Sequence, residues 1–419
     1  MHDHGHHGEH EQPTQPAPEP RDSGSHAPHQ HPEPPEHAAG QPERHPVDPH
    51  QVTRPQLVVV TIISIIALIA PLVWSAYTYN LRIGADDVED VVMPPGMVNT
   101  RDLPAESMSD MAAVDPDAVS YDAPGDAQGA QPLEPRLENG IKVFDLETSV
   151  IEWQILPNVR VMAYAFNRQV PGPTLRVTEG DAVRINVTNR LPESTTVHWH
   201  GLILPNEMDG PAEITQEPIE PGETFTYEFA TQQAGTFFYH THDHVDRQQA
   251  LGLYGALIID PSDPSIDAEL DYQYDVLIEL QEWLSREGYT FPAMPMDGAL
   301  PNYFTINGKA YPATTTIHMS VGERARIRFI GSHNMEIHPM HIHGGPFEIV
   351  VIDGEMASPE QRVLRDTVNV GPGQRYDVVW EALEPGKWLL HCHIGHHTTN
   401  NNIEQGGGGG LMIIIEVVP

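Results

Sequence analysis

The chain has one cysteine among its 419 residues, Cys392, and this excludes a fold held together by disulfide bonds. It has only three lysines, Lys142, Lys309 and Lys387, against 59 acidic residues. Its formal net charge of −37 excludes the basic surface that nucleic-acid binding requires. No stretch repeats apolar residues at the spacing of a long amphipathic helix.

The first 55 residues form an arm rich in histidine and proline. Eleven histidines lie between Met1 and His50, with almost no aliphatic residues among them. Such a composition cannot bury enough apolar surface to offset the entropy lost on ordering, so we expect a disordered arm over 1–55. Its histidines either buffer metal ions or belong to a solvated low-complexity tail.

An apolar stretch of 23 residues follows, from Leu57 to Tyr79, and it contains no charged residue. This exceeds the length of about 20 residues that a helix needs to cross a bilayer, so we expect a transmembrane anchor over 56–80. A cleaved signal peptide is the alternative. Residues 81–139 are rich in acidic residues, proline and glycine, and they predict an acidic, disordered linker.

From Ile141 onward, short apolar or alternating runs are separated by proline and glycine. Val183 to Val187 and Thr224 to Phe229 are examples, and a second set, including Ala325 to Ile330, follows Asp271. Such runs are typical of strands in antiparallel sandwiches. The sequence therefore predicts an all-β fold with two β-sandwich domains, over 140–265 and 266–419.

Ten of the 14 histidines after residue 50 fall in four short motifs. In a strand, alternate side chains share a face, so each H-x-H pair presents two imidazoles on one side while Cys392 projects to the other. Copper prefers thiolate and imidazole ligands, and two histidines, one cysteine and a weak axial residue make a blue-copper site. A buried small apolar residue is the alternative for Cys392. The motifs are His198-Trp-His200, His240-Thr-His242, His338-Pro-Met-His341-Ile-His343, and His391-Cys-His393 with His397.

At these motifs the sequence resembles the multicopper oxidases, the family of laccases and copper-tolerance oxidases. All four motifs stand in order, and the surrounding residues match too. The matching segments are TTVHWHGL at 195–202, PNEMDG at 205–210, GTFFYHTH at 235–242, GLYGALII at 252–259 and IHPMHIHGGPF at 337–347. The resemblance covers residues 140–419 and implies that both sandwiches are cupredoxin-like Greek-key domains, with the type 1 copper in the second.

The resemblance also implies four coppers: one type 1, one type 2 and a type 3 pair. It assigns His338, Cys392 and His397 to type 1 copper, and His198 and His341 to type 2 copper. Zinc binding at some of the H-x-H pairs is a weaker alternative. The ligands assigned to the type 3 pair are His200, His240, His242, His343, His391 and His393.

Two further positions follow from the resemblance. Relatives place glycine and then Met, Leu or Phe after the last type 1 histidine, and Leu411 is the best counterpart here. Leu411 would offer copper no axial ligand atom and raise its reduction potential, whereas the alternative, Met412, would supply a thioether and lower it. Asp209 stands where the family keeps an acid near type 2 copper. It either relays protons to reduced oxygen or only forms a turn.

The resemblance implies an enzyme that takes electrons singly at type 1 copper, passes them through Cys392 to His391 and His393, and reduces O2 to water at a trinuclear cluster. Phenols or aromatic amines, as for laccases, are the expected reducing substrates; Cu(I), Fe(II) or Mn(II) are the alternative. A copper nitrite reductase is more remote, because its type 1 site would lie in the first domain. A copper-storage or electron-carrier protein is equally remote.

The two-domain organisation leads to a prediction of how several copies of the chain associate. The trinuclear cluster needs H-x-H pairs from both domains, and the resemblance implies a homotrimer with each cluster between neighbouring chains. With the expected anchor, we expect the catalytic domains on the extracytoplasmic side of a membrane.

Overall fold

The computed structural model describes residues 54–83, 92, 109–294 and 299–419. The predicted arm, up to residue 53, and the linker residues 84–91 and 93–108 lie outside the described residues. Helix α1 spans Arg54–Ile83 and contains Pro71. Within the described part of the chain, no helix is both long enough and apolar enough to cross a membrane. The transmembrane anchor predicted over 56–80 is therefore not confirmed.

The predicted linker needs a correction at its C-terminal end, because the residues from 109 to 139 are folded. Met111 and Val114 are buried, and the backbone amide of Ser120 donates a hydrogen bond to the carbonyl oxygen of Val150. Composition averaged over the whole segment conceals these short apolar stretches between acidic residues. The strands in this region are β1 (Tyr121–Asp122), β2 (Pro132–Leu133) and β3 (Arg136–Glu138).

The first sandwich consists of two sheets built from β1 to β11. One sheet has the order β1-β4-β7-β9, with β3 and β5 also paired to β4, and the other has the order β2-β6-β11-β10-β8. A short helix, α2 (Val245–Gln248), lies between β10 and β11. The remaining strands are β4 (Ile141–Leu156), β5 (Val159–Phe166), β6 (Thr174–Thr178), β7 (Ala182–Thr188), β8 (His198–His200), β9 (Thr224–Ala230), β10 (Gly235–His240) and β11 (Tyr254–Asp260).

The second sandwich follows a short helix, α3 (Ser265–Ala268). One sheet has the order β13-β12-β16-β22-β18-β19, with β14 on β12 and β20 on β18, and the other has the order β15-β24-β23-β17-β21. Its strands are β12 (Tyr274–Arg286), β13 (Tyr289–Phe291), β14 (Tyr303–Ile306), β15 (Ile317–Ser320), β16 (Arg324–Ile330), β17 (His338–Ile342), β18 (Phe347–Ile352), β19 (Glu355–Met356), β20 (Val363–Arg365), β21 (Thr367–Val370), β22 (Arg375–Glu381), β23 (Gly386–Cys392) and β24 (Met412–Val418).

Alternation along the strands determines which residues enter each core. In β7, Val183, Ile185 and Val187 are buried while their neighbours face outward. The same period of two in β17 buries Met340 and Ile342, so that His341 lies on the opposite face. The prediction of an all-β fold is confirmed.

The two sandwiches share an interface that is both apolar and polar. The indole nitrogen of Trp153 donates a hydrogen bond of 2.8 Å to the carbonyl oxygen of Gly308. The hydroxyl of Thr236 in the first sandwich donates a 3.0 Å hydrogen bond to Asp377, which also pairs with Arg326 and Arg328 of the second. Because these groups are buried and mutually paired, they fix the position of β10 against β16 and β22.

Candidate metal centre

Four histidines of the first sandwich meet at one end of β8 and β10, and we call them the domain 1 group: His198, His200, His240 and His242. The strands are antiparallel, and His240 lies directly opposite His198. The ring centroid of His198 lies 5.3 to 5.5 Å from those of the other three. Between the first pair, Trp199 points into the core and is fully buried.

Backbone carbonyls orient the rings of the domain 1 group. Nδ1 of His198 lies 2.7 Å from the carbonyl oxygen of Asp209, and Nδ1 of His240 lies 2.7 Å from that of Thr241. A ring that donates from Nδ1 keeps the lone pair of Nε2 free for a metal. Burial lowers the pKa of His240 well below its usual value and that of His200 to about 3, so both rings stay neutral, as ligation requires.

The second sandwich holds a matching set, which we call the domain 2 group: His341, His343, His391 and His393. His341 lies opposite His391 in the ladder between β17 and β23. Nδ1 of His341 contacts the carbonyl oxygen of Asp366 at 2.7 Å, and Nδ1 of His391 contacts that of Cys392 at 2.8 Å. Nε2 of His343 lies 3.1 Å from Nε2 of His391, so these nitrogens converge.

The two groups remain apart within one chain. Across the described residues, each histidine–histidine ring contact of these eight residues joins two members of the same group. The domain 1 group lines a cavity with Gln249, Asn334 and Gly373, whereas His341 and His343 line a different one with Leu364 and Asp366. His393 is exposed, and the other members of the domain 2 group are half-buried.

Behind the domain 2 group lies the type 1 set, formed by His338, Cys392 and His397. All three residues are buried. Nδ1 of His338 lies 3.0 Å from Nδ1 of His397, and Sγ of Cys392 lies 4.0 Å and 3.5 Å from these two nitrogens. Cys392 ends β23, His338 begins β17, and His397 lies in a single 3₁₀ turn, Gly395–Thr398.

The donors of the type 1 set fit a copper ion. The three donor atoms lie 3.0 to 4.0 Å from one another, which is close enough for a single ion to contact all three. Burial raises the pKa of the Cys392 thiol to about 12 and lowers that of His397 to about 4. A bound cation would favour the thiolate and compensate for its desolvation. The pairing of Cys392 with two neutral imidazoles suits copper better than a hard cation.

Leu411 and Met412 differ in the face they occupy. Met412 lies directly opposite His391, and its sulfur packs against Gly408 in the glycine run. Leu411 is fully buried in the same apolar cluster as Cys392, whose amide donates a 3.0 Å hydrogen bond to the Leu411 carbonyl. This arrangement favours Leu411 as the axial residue, and the assignment stays a prediction.

Asp209 lies beside the domain 1 group. Its carboxylate oxygen is 3.4 Å from Nδ1 of His198, and its side chain is partly exposed. It also follows a 3₁₀ turn, Asn206–Met208. Both interpretations of this residue, a proton relay and a turn former, are compatible with its position.

Four residues near the type 1 set were not assigned to it from the sequence. Oε1 of the buried Glu282 lies 3.1 Å from Nε2 of His338, and the buried ring of His333 packs 4.2 Å from that of His338. Glu336 contacts Nε2 of His397, and His396 lies beside it. The contact of Glu336 with His397 joins residues far apart in the sequence, so no local pattern marks Glu336. No local pattern links β12, which carries Glu282, to this site.

Comparison with known proteins gives one consistent result. Residues 147–264 and 290–403 each match a family model described as multicopper oxidase. The chain is 32% identical to Laccase-1 of Cryptococcus neoformans over 248 residues, which are 52% of this chain and 38% of the relative. It is 30% identical to Copper resistance protein A of Escherichia coli, over 57% of this chain and 46% of that relative. The chain thus spans less than half of the length of these curated relatives.

The match to one solved structure covers a larger share of that protein's length. The Blue Copper Oxidase from Nitrosomonas europaea is 36% identical to this chain, with a TM-score of 0.61. The match covers 66% of this chain and 86% of that one.

Proposed function

This chain belongs to the multicopper oxidase family, and on that premise we propose that it couples the one-electron oxidation of a reducing substrate to the four-electron reduction of O2 to water. Members of this family are oxidoreductases that use type 1, type 2 and type 3 copper. The observation that carries the proposal is the placement of Cys392 in the type 1 set while His391 and His393, its neighbours, belong to the domain 2 group.

This placement supports a short path for electrons. Alternation along β23 directs Cys392 to the buried face and His391 to the opposite one, so a single peptide bond joins the residues of the two sites. His397 offers Nδ1 to the type 1 set and Nε2 to the outer side, where an electron donor would approach. When bound, copper supplies the one-electron chemistry at the type 1 set and the oxygen chemistry at the histidine groups.

We further infer that the trinuclear cluster forms between chains. A cluster of three coppers needs both histidine groups, and the support for a second chain is that the two groups lie at separate cavities of one chain. Exposed His393 and the half-buried rings around it leave the domain 2 group open to a neighbour. Head-to-tail contacts of this kind close into a ring, and a homotrimer is the assembly that the family resemblance implies.

Asp209 is proposed to supply protons to reduced oxygen. Its carboxylate lies next to His198, the ligand proposed for type 2 copper, and it has access to solvent. A carboxylate in that position can take a proton from water and pass it inward. The extracytoplasmic location and the oxidation of phenols or aromatic amines stay predictions.

Oxygen uptake by the copper-loaded protein tests the proposed function. With an aromatic amine as electron donor, we expect four oxidised donor molecules for each O2 consumed, and no hydrogen peroxide. A protein that binds copper without consuming oxygen would instead be a store or a carrier. Nitrite-dependent oxidation of the donor in the absence of oxygen would indicate a nitrite reductase.

A further inference from the structure

The side chain of Gln248, in helix α2, connects the two segments that carry the histidines of the domain 1 group. Its oxygen, Oε1, accepts hydrogen bonds from the hydroxyls of Thr195, at 2.8 Å, and Thr241, at 2.7 Å. Thr195 begins the segment TTVHWHGL, which contains the first H-x-H pair, and Thr241 is the middle residue of the second pair. One amide oxygen therefore links both H-x-H pairs.

The amide nitrogen of Gln248 is bonded as completely as its oxygen. Nε2 donates hydrogen bonds to the carboxylate of Glu193, at 3.0 Å, and to the carbonyl oxygen of Ser194, at 2.7 Å. An amide side chain offers two donors and two acceptor positions, so every polar position of Gln248 has a partner. Gln248 and both threonines are fully buried. Because any other orientation would leave buried polar groups without partners, the amide is held in a single one.

Arg247 supports Gln248 from the side away from the histidines. Its Nε donates a hydrogen bond of 3.1 Å to Glu193, whose carboxylate also accepts from Gln248. Its Nη1 donates a hydrogen bond of 2.6 Å to the carbonyl oxygen of Ala112, and both residues are buried. Ala112 lies outside the two segments that match the multicopper oxidase models. The hydrogen bonds therefore extend from the domain 1 group to a part of the chain that the family match does not cover.

The position of Gln248 relative to the β8–β10 ladder shows what its hydrogen bonds do. This ladder ends at the pair of His198 and His240, and both threonines lie beyond that end. The shared oxygen of Gln248 therefore links the two segments where backbone pairing between β8 and β10 has stopped. His242 depends on this link most directly, because it follows Thr241 and its ring centroid lies 5.4 Å from that of His198.

We propose that Gln248 is a positioning residue for the domain 1 group, holding the two H-x-H pairs at the spacing that copper binding requires without contacting copper itself. The inference rests on the proposed function, in which this group binds copper of the trinuclear cluster. Hydrogen bonds that orient metal-binding residues raise the affinity of a site, and the loss of one costs about 10- to 100-fold in affinity. Because the type 1 set lies in the second sandwich, its copper should not depend on Gln248.

Copper retention measures this positioning. The copper-loaded protein is dialysed to equilibrium against copper buffered at decreasing free concentrations. Elemental analysis gives the copper per chain, and the blue absorption band reports type 1 copper alone. In Gln248→Met and Thr195→Val, we expect the remaining copper to be lost at a free copper concentration at least about tenfold higher than in wild type. The blue band should fade at the same free copper concentration in all of these proteins.

Two further variants separate positioning from a general loss of packing. Thr195→Ser keeps the hydroxyl that bonds to Gln248 and should retain copper as wild type does. Thr231→Val is the matched control, because Thr231 is buried in the same sandwich but donates its hydrogen bond to the carbonyl oxygen of Thr178. A purely structural role for Gln248 would lower the denaturant midpoint of unfolding and leave copper retention unchanged.

Wild-type copper retention in both Gln248→Met and Thr195→Val would overturn the inference, and if Gln248→Met does not fold, Thr195→Val alone decides. Equal loss of the blue band and of the remaining copper would also overturn it, because the effect would not be confined to the domain 1 group. The proposed function fails by a different result. A fully copper-loaded wild type that consumes no oxygen would contradict it, whatever the copper retention of the variants.

Discussion

The side chain of His391 shares a face of the β23–β24 ladder with that of Met412, because the two residues lie directly opposite each other. Leu411, one residue earlier, packs with Cys392 on the other face. The amide of Leu411 also donates a 2.9 Å hydrogen bond to the carbonyl oxygen of His397, and this ties it to the type 1 set. This arrangement favours the apolar Leu411 as the axial residue, which stays a prediction.

Leu411→Met places a thioether on the Cys392 face and should lower the reduction potential of the blue copper. We expect a shift of at least about 59 mV, a tenfold change in a one-electron equilibrium. Met412→Leu is the matched control and should shift the potential much less, because Met412 packs against Gly408. Redox titration of the blue band distinguishes the two, and the opposite result would assign the axial position to Met412.

Cys392→Ser removes the thiolate with little change in volume. We expect loss of the blue absorption band and a fall of at least about 10³-fold in oxidation of an aromatic amine, since the path to His391 and His393 begins at this sulfur. The paramagnetic signal of type 2 copper should remain. A blue Cys392→Ser protein would contradict the assignment of the type 1 set.

The histidine motifs could be recognised from the sequence because alternation in a strand is a local property, which predicts that the two imidazoles of each H-x-H pair share one face. The resemblance then supplied their grouping by copper type. Glu282 could not be assigned from the sequence, since its proximity to His338 depends on how β12 packs. Residues 109–139 were misjudged because the burial of Met111 and Val114 depends on contacts with the sandwich and not on average composition.

Glu279, in β12, provides a test that does not involve copper, namely how burial of a carboxyl group makes the stability of the protein depend on pH. Its carboxyl is fully buried, and neither oxygen has a hydrogen-bond partner in the described residues. Burial raises the pKa of Glu279 well above its usual value. A carboxyl group whose pKa is higher in the folded than in the unfolded protein makes its full contribution to stability below its pKa in the unfolded protein, near pH 4.5. This contribution is lost as the pH rises toward the pKa of the group in the folded protein.

Wild type should therefore lose about 1.4 kcal/mol of stability per pH unit across this window on account of Glu279. Glu279→Gln abolishes the titration, so its stability relative to wild type should increase between pH 4.5 and pH 7. Denaturant unfolding at both pH values measures the change, with Glu404→Gln, at an exposed position, as control. A difference that does not vary with pH would show that Glu279 is ionised in the folded protein.

The central claim is that each trinuclear cluster forms between two chains, and co-expression of two inactive variants tests it most directly. His200→Ala disables the domain 1 group and His393→Ala disables the domain 2 group. Random assembly in equal amounts joins an intact domain 1 group to an intact domain 2 group at about a quarter of the interfaces. We predict that oxygen uptake by the mixed oligomers returns to about a quarter of the wild-type rate. If mixed oligomers form and remain inactive, each cluster forms within one chain and the account is contradicted.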